Sequence, residues 1–480
     1  MSKLRRLAGE TALYGLGSIV PRFLNFLLVR LHTGVFAPDE YGVITKLYAF
    51  VAVINTLFMF GMETAYFRFA SKEEAVDEKR VFNIALTIVI AISGFLSLGF
   101  ILFAGDIANY MEVPGRTDLV IWLVLIMMID AVVAIPFARL RLQKKARRFA
   151  LGKLINIVVL VGMNIYFLRL MSGSPDVGLV ILANLLANVF YVLLFWKSLT
   201  AWRPVFDRKL SPPILSYSYP IMLTGLAGIT NVMFSRITLE NWLPDNFYPG
   251  RSTKYALGVF GASYKIAVVM NLAIQAFRYA AEPFFFSNAA EKNSPHLFAR
   301  VNHYFVIACC LILLGVSINL DILKYFLGQS EYWEGLHIVP VLLLAYLFLG
   351  VYYNFSVWFK LTDRTHYGTL ITVGGVVVTI AANYWLIPIA GYEGSSWAAL
   401  LCYSGMAAAC YVLGQKYFPI PYGVARSIGY IVVTLVVVYV VEPLSFSDQW
   451  VATLFHLFVC LIFLAATYFV ERRFPFRSLA

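Results

Sequence analysis

Charge is scarce in this sequence. Only 13% of its 480 residues are Asp, Glu, Lys or Arg, about half the share of about 25% found in a soluble domain. Cysteine is scarcer still: Cys309, Cys310, Cys402, Cys410 and Cys460 are the five in the chain. No pair has the C-x-x-C spacing of a metal or redox motif, and each falls in an apolar run, which excludes a disulfide framework and a zinc site. The HExxH helix, the nucleophile elbow and the phosphate loop are also missing. "GLGSIV" at 15 to 20 lacks the third glycine of a dinucleotide fingerprint and follows no strand. No soluble catalytic domain, metal or cofactor is expected.

Hydrocarbon is what the sequence has. Hydrophobic residues make up 60% of it, and mean hydropathy is +0.76. Apolar runs recur with short polar gaps, each near the ~20 residues that span about 30 Å of hydrocarbon. Fourteen spans are predicted: 8 to 31, 41 to 70, 81 to 105, 117 to 140, 150 to 169, 177 to 197, 211 to 240, 255 to 287, 298 to 320, 334 to 359, 367 to 387, 394 to 415, 424 to 441 and 449 to 470. The fold class expected is therefore an all-α integral membrane protein. The first run follows Lys3, Arg5 and Arg6 but is too long for a signal-peptide core, so it reads as a retained helix.

The net charge of +12 invites a nucleic-acid partner, but the position of the charges gives it another meaning. With the N-terminus inside, the inner segments hold 26 of the 38 Lys and Arg, led by "LRLQKKARRFALGK" at 140 to 153. The outer segments hold five: Arg116, Arg169, Arg251, Lys254 and Lys324. This is the positive-inside asymmetry, which places both termini in the cytoplasm and requires no nucleic acid.

The chain also repeats. Gly42, Tyr48 and Asn55 match Gly258, Tyr264 and Asn271 at one constant offset. Asn25, Arg30, Pro38 and Asp39 match Asn231, Arg236, Pro244 and Asp245 at a second, slightly shorter one. Two six-helix lobes in parallel topology follow, related by a pseudo-two-fold axis along the membrane normal. The expected division is 1–203, 204–420 and an unpaired helix pair at 421–480, with "TAWRPVFDRKLSPPI" at 200 to 214 as linker. In such repeats the substrate site lies near the midplane between lobes.

Ionisable groups inside spans are the site candidates, because lipid solvates them poorly. Arg22 lies about 16 Å into the first span, at 1.5 Å per residue, just after Pro21. It either faces a wet cavity or pairs with Asp130, the one acid placed near mid-membrane. Arg30 and Arg236 lie near span ends, where their side chains can snorkel. Lys46 lies in span 2. On span 8, Tyr264, Lys265, Asn271, Gln275 and Arg278 share a helix, and Lys265, Asn271 and Arg278 fall within about 120° of arc. Asn25 and Asn55 are further polar candidates. Arg278 with Glu282, and Glu63 with Arg68, read either as local charge pairs or as an inner gate. Seven cations stand against Glu63, Asp130, Glu240 and Glu282, so the interior is cationic and suited to phosphate oxygens.

The 6 + 6 + 2 plan, "GLGSIVPRFLNFLLVRLHTGVFAPDEYG" at the start and "FGMETAYFRFAS" after span 2 resemble the polysaccharide transporter branch (Wzx-type oligosaccharide flippases) of the multidrug/oligosaccharidyl-lipid/polysaccharide superfamily. The resemblance implies a non-enzymatic flippase in a bacterial cytoplasmic membrane. Its substrate would be an undecaprenyl-pyrophosphate-linked oligosaccharide for surface polysaccharide such as O-antigen, and its other partner membrane lipid. In the related lipid II flippases, arginines of spans 1, 2 and 8 are held to bind pyrophosphate; by span and depth, Arg22 and Arg30, Arg68, and Lys265 or Arg278 correspond. Spans 13 and 14 form a lipid-tail groove in those relatives. The alternative is a drug or metabolite antiporter coupled to protons or sodium, for which Asp130 is the candidate; its counterpart in the register of Gly42 and Gly258 is Tyr346. A membrane glycosyltransferase or polymerase using the acids of "PDEYG" is the third reading, weakened by outer loops too short for an acceptor platform.

Overall fold

The computed structural model describes residues 20–71, 77–171, 173, 175–288, 293–444, 446 and 448–474. Among them every regular element is helical, as lipid demands of a chain that must bond each backbone N–H and C=O within its own segment. In order these are α1 (20–35), α2 (Pro38–Met59), α3 (Met62–Ala70), α4 (Glu78–Leu102), α5 (Ala104–Tyr110), α6 (Thr117–Leu142), α7 (Ala146–Ile165), α8 (Val177–Leu194), α9 (Trp196–Thr200) and α10 (Ser211–Trp242). There follow α11 (Thr253–Asn288), α12 (Ser294–Ser317), α13 (Leu320–Leu323), α14 (Val339–Phe355), α15 (Val357–Leu361), α16 (His366–Tyr417), α17 (Val424–Val441) and α18 (Gln449–Arg473).

Twelve helices among the described residues are long and apolar enough to cross a membrane. One of them, α16, runs for 52 residues, about 78 Å at 1.5 Å per residue, and is two antiparallel arms. The Tyr367 and Tyr417 hydroxyls near its ends are 2.6 Å apart, and the Cys402 thiol meets the Gly375 carbonyl. The chain reverses at Gly391, three residues after Pro388, with φ 55° and ψ −133°. An added Cβ there would lie 2.2 Å from the Tyr248 hydroxyl, so only glycine fits this turn. The arms coincide with the expected spans 367 to 387 and 394 to 415. The first expected span is described only from residue 20, so the described residues do not return the count of fourteen.

Compactness divides the chain into two units. The first holds the chain up to Phe36 with Glu40–Ile237; the second holds Ala37–Asp39 with Thr238–Ala480. The division falls within α10, later than the 203/204 boundary set by the repeat.

In the first unit, expected span 2 is broken. Phe60 and Gly61 take left-handed φ of 49° and 65°, separating α2 from α3. A Cβ on Gly61 would lie 2.7 Å from the Ser218 carbonyl, so the break lets α10 approach backbone to backbone. Helix α4 starts on Asp77, whose carboxylate accepts from the Lys79 amide, and packs with α6 through buried Val81, Ile84, Leu123 and Met127. At the α6 and α8 starts, Arg116 donates to Asp176 at 2.8 and 2.9 Å and to Asp118 at 3.1 and 3.2 Å. The bonds from Arg116 are the main reason the Asp176 carboxyl is held below its ordinary 3.8.

In the second unit α14 is the central helix, with 72% of the most apolar stretch of its span (Ser330–Leu361) buried, against 17% for α18. It meets one arm of α16 where the Tyr352 hydroxyl lies 3.4 Å from Thr372, and the other where Tyr346 stacks near Tyr403. Helices α17 and α18 are fastened to α12 by polar contacts. Glu471 on α18 lies 2.9 Å from His303 of α12 and accepts from Arg426 and Tyr430 of α17 at 2.7 Å each. The carboxylate thereby gains the compensation that a partly buried charge requires. The five cysteines are free, four of them buried.

Candidate functional site

The first unit gathers a polar cluster inside its bundle. Asp130, on α6, accepts from Asn188 of α8 at 2.9 Å. Asn188 is in turn 3.4 Å from the Asn156 amide on α7, which donates to the Ala187 carbonyl at 2.6 Å. One turn before Asn156, Lys153 lays its ammonium over the rings of Phe137 at 4.2 Å and Tyr191 at 4.9 Å. Lys153 is also the cation whose charge acts on Asp130. On α2, the Tyr48 hydroxyl accepts from Asn184 at 3.0 Å and feels the Asp130 charge. One carboxylate, one ammonium, three amides and two phenols thus share a half-buried volume, where charges interact more strongly than in water and can bind an ion or exchange a proton.

Lys153 was missed from the sequence because it closes the basic run at 140 to 153, which reads as an inner loop. The link between α6 and α7 is only Gln143, Lys144 and Lys145, and Lys153 lies two turns into α7. The signal that was there is the three-residue spacing from Lys153 to Asn156, which puts both on one face. The alternative of an Arg22–Asp130 ion pair is not what forms: Asp130 is served by Asn188 and Lys153. Arg22 makes no ion pair among the described residues, and it is exposed on α1, as are Asn25 and Arg30.

The other candidates of this unit are dispersed. Lys46 is 2% exposed, with its ammonium 3.9 Å from Glu112. Glu63 and Arg68, read as possible mutual partners, take separate ones: Glu63 pairs with Arg141 of α6, and the Arg68 guanidinium lies 4.1 Å over the Tyr217 ring.

In the second unit, Asp39, the acid of the glycosyltransferase reading, accepts from Ser252 just before α11. On α11, Tyr264 is buried, its ring 5.6 Å from that of Tyr346; Lys265, Asn271, Gln275 and Arg278 are half-buried. Arg278 stacks on Tyr353 at 3.8 Å and reaches Glu282 at 3.4 Å, and Glu282 accepts from Lys360 at 2.8 Å. The repeat-related Asn55 and Asn271 share one feature: each side-chain oxygen is buried with no hydrogen-bond partner among the described residues. Also among the described residues, no three His, Cys, Asp or Glu converge as for a metal.

The pair Glu63–Arg141 recurs as Glu282–Lys360, both members displaced along the chain by the same offset. The loop beside it recurs too. Lys144 and Asp363, at that offset again, take left-handed φ of 54° and 57°. The Lys145 amide donates to the Leu140 carbonyl at 2.8 Å as that of Arg364 does to Phe359 at 2.9 Å. In this register, three positions longer than that of Gly42 and Gly258, Asp130 corresponds to Leu349 in place of Tyr346, and Lys153 to Thr372.

A family model described as "Polysaccharide biosynthesis protein" matches residues 27–284, more than half of the chain. No curated protein matches it by sequence. Among solved structures, "Lipid II flippase MurJ, inward closed conformation" is similar with a TM-score of 0.74 and 13% identity, covering 95% of this chain and 99% of that one. An inward-facing multidrug resistance MATE family transporter of the MOP superfamily gives 0.63 and 14%, covering 88% and 99%. The Vibrio cholerae MATE transporter VcmN gives 0.62 and 14%, covering 86% and 96%. The architecture is the one these multi-pass membrane transporters share.

Proposed function

Because this chain belongs to the polysaccharide biosynthesis protein family, we propose that it is a flippase of a bacterial cytoplasmic membrane. It carries an undecaprenyl-pyrophosphate-linked oligosaccharide to the outer leaflet by alternating access of two lobes, with both termini cytoplasmic. The observation that carries the substrate assignment is Arg22. An exposed guanidinium on an apolar helix, with no ion pair among the described residues, is costly in lipid and is repaid by an anion it can hold through charge-assisted bonds. Arg30, Lys265 and Arg278 supply further cations for the pyrophosphate. The Arg278–Glu282–Lys360 cluster, whose counterpart is Glu63–Arg141, acts as a gate that changes partners during transport. Asp130, with Lys153 beside it, is the ion-coupling group.

The reading is supported by the family match and by a fold shared with a lipid II flippase. Its test is complementation of a flippase-deficient strain by Arg22→Ala, Lys265→Ala and Arg278→Ala, with membrane abundance measured alongside. Each is expected to lose surface glycan at normal abundance. Full complementation by all three would remove the pyrophosphate assignment.

A further inference from the structure

A cleft of about 1080 Å³ opens on the first unit between α6, α7 and the α8–α9 junction. Helical spacing builds two of its walls: Pro136, Arg139, Leu140 and Gln143 on α6 and its end, and Arg148, Leu151, Gly152 and Ile155 on α7, are each one i, i+3, i+4, i+7 stripe. Four cations line it, namely Arg139, Lys145, Arg148 and Lys197, and no carboxylate does. Arg139 is committed to Glu78 at 2.9 Å, and Lys145 donates to the neutral Gln143 at 2.7 Å. Arg148 and Lys197 have no acidic partner among the described residues. Away from this rim the walls are apolar and exposed: Leu151, Ile155, Leu193 and Leu194, with Trp196 beside Lys197. Gly152 keeps the floor narrow, since a Cβ there would lie 2.7 Å from Leu194.

A basic rim above apolar walls, marked by an exposed tryptophan, has the layout of the membrane interface, where aromatic rings and cations sit at headgroup level. The volume exceeds that of the pockets that hold drug-sized ligands. A soluble anion would fill only the rim and leave the leucine walls uncovered. We propose that the cleft is a binding site for an anionic phospholipid of the surrounding bilayer. Lys145, Arg148 and Lys197 take the headgroup phosphate, and the first acyl carbons cover Leu151, Ile155, Leu193 and Leu194. The reading of the cleft stands whatever glycan the protein carries.

The test uses the purified full-length protein and native mass spectrometry with phosphatidylglycerol or phosphatidylcholine in the micelle. The wild type is expected to retain phosphatidylglycerol in preference, and Lys145→Gln/Arg148→Gln/Lys197→Gln to lose about five-fold in retention for each cation removed. Phosphatidylglycerol with brominated acyl chains should quench Trp196 together with the other exposed tryptophans Trp385, Trp397 and Trp450, and Trp196→Phe should reduce the quenched fraction; this second readout leaves the cations in place should the triple variant fail to fold. Equal retention of the two lipids by the wild type, equal retention by the triple variant, or unchanged quenching in Trp196→Phe would overturn the proposal. So would displacement of phosphatidylglycerol by inorganic pyrophosphate or a polyprenyl diphosphate, which would give the cleft to that anion.

Discussion

At the turn between α6 and α7, Lys144 holds a left-handed backbone while Glu63 meets Arg141; in the second unit Asp363 does the same beside Glu282 and Lys360. The two turns share hydrogen bonds and charge pairing, yet what they lead into differs. The first unit carries Asp130 and Lys153 inside its bundle, where the second, in the same register, carries Leu349 and Thr372. The scaffold therefore accepts an uncharged solution at this place. A half-buried carboxylate and ammonium kept there carry a desolvation cost that their attraction only partly returns. That asymmetry sets the two units apart, while the turns they share are the frame common to both.

The largest effect should come from making the first unit like the second. Asp130→Leu with Lys153→Thr is expected to end glycan export in a complementation assay while the protein still reaches the membrane. Either substitution alone should also destabilise it, by on the order of 1 kcal/mol, because it leaves one half-buried charge without the other; thermal unfolding in detergent would show the double variant more stable than the singles. Retained export by the double variant would dissolve the contrast between units.

The second unit has its own sensitive point. Gly391→Ala must force a side chain into a left-handed turn against Tyr248, and a loss of about 1–3 kcal/mol is expected. Gly162→Ala on α7, where a Cβ meets nothing within 4 Å, is the matched control and should leave the melting temperature unchanged or slightly raised.

The shared pairs should matter much less for stability. The Glu63 and Arg141 side chains are 34% and 37% exposed, so Glu63→Gln should cost no more than about 0.2–1 kcal/mol. Glu63→Arg with Arg141→Glu should restore both melting temperature and export if only their pairing counts. The smallest effect belongs to the Arg116–Asp176 clasp. Its carboxyl titrates below the ordinary 3.8 when folded, so the unfolded chain binds that proton more readily. The clasp's contribution is complete above about pH 4 and lost as pH falls through the lower folded value. The melting-temperature gap between wild type and Asp176→Asn should be small at pH 7 and shrink as the pH falls below about 4.

Much of the architecture was legible because it is local. Runs such as 117 to 140 and 177 to 197 return as α6 and α8 within a few residues, since about 20 apolar residues in lipid can satisfy their backbone only as a helix. Pairings between helices were not legible. Glu63 and Arg68 are neighbours in sequence, but their partners, Arg141 and Tyr217, come from other helices. Lys153 reads as loop until the three-residue link before α7 is seen.

The sequence alone thus determined that this is an all-helical, multi-pass membrane protein with an internally repeated body and cations where lipid should exclude them. Hydropathy and spacing are properties of a single segment, and the bilayer acts on each segment separately. Only the tertiary structure decided which charges are compensated: Lys46 by Glu112, Arg278 by Glu282, Asp130 by Asn188 and Lys153, and Arg22 by no ion pair among the described residues. Those outcomes depend on how each helix is rotated against its neighbours, and that rotation is fixed by side-chain packing across the whole bundle.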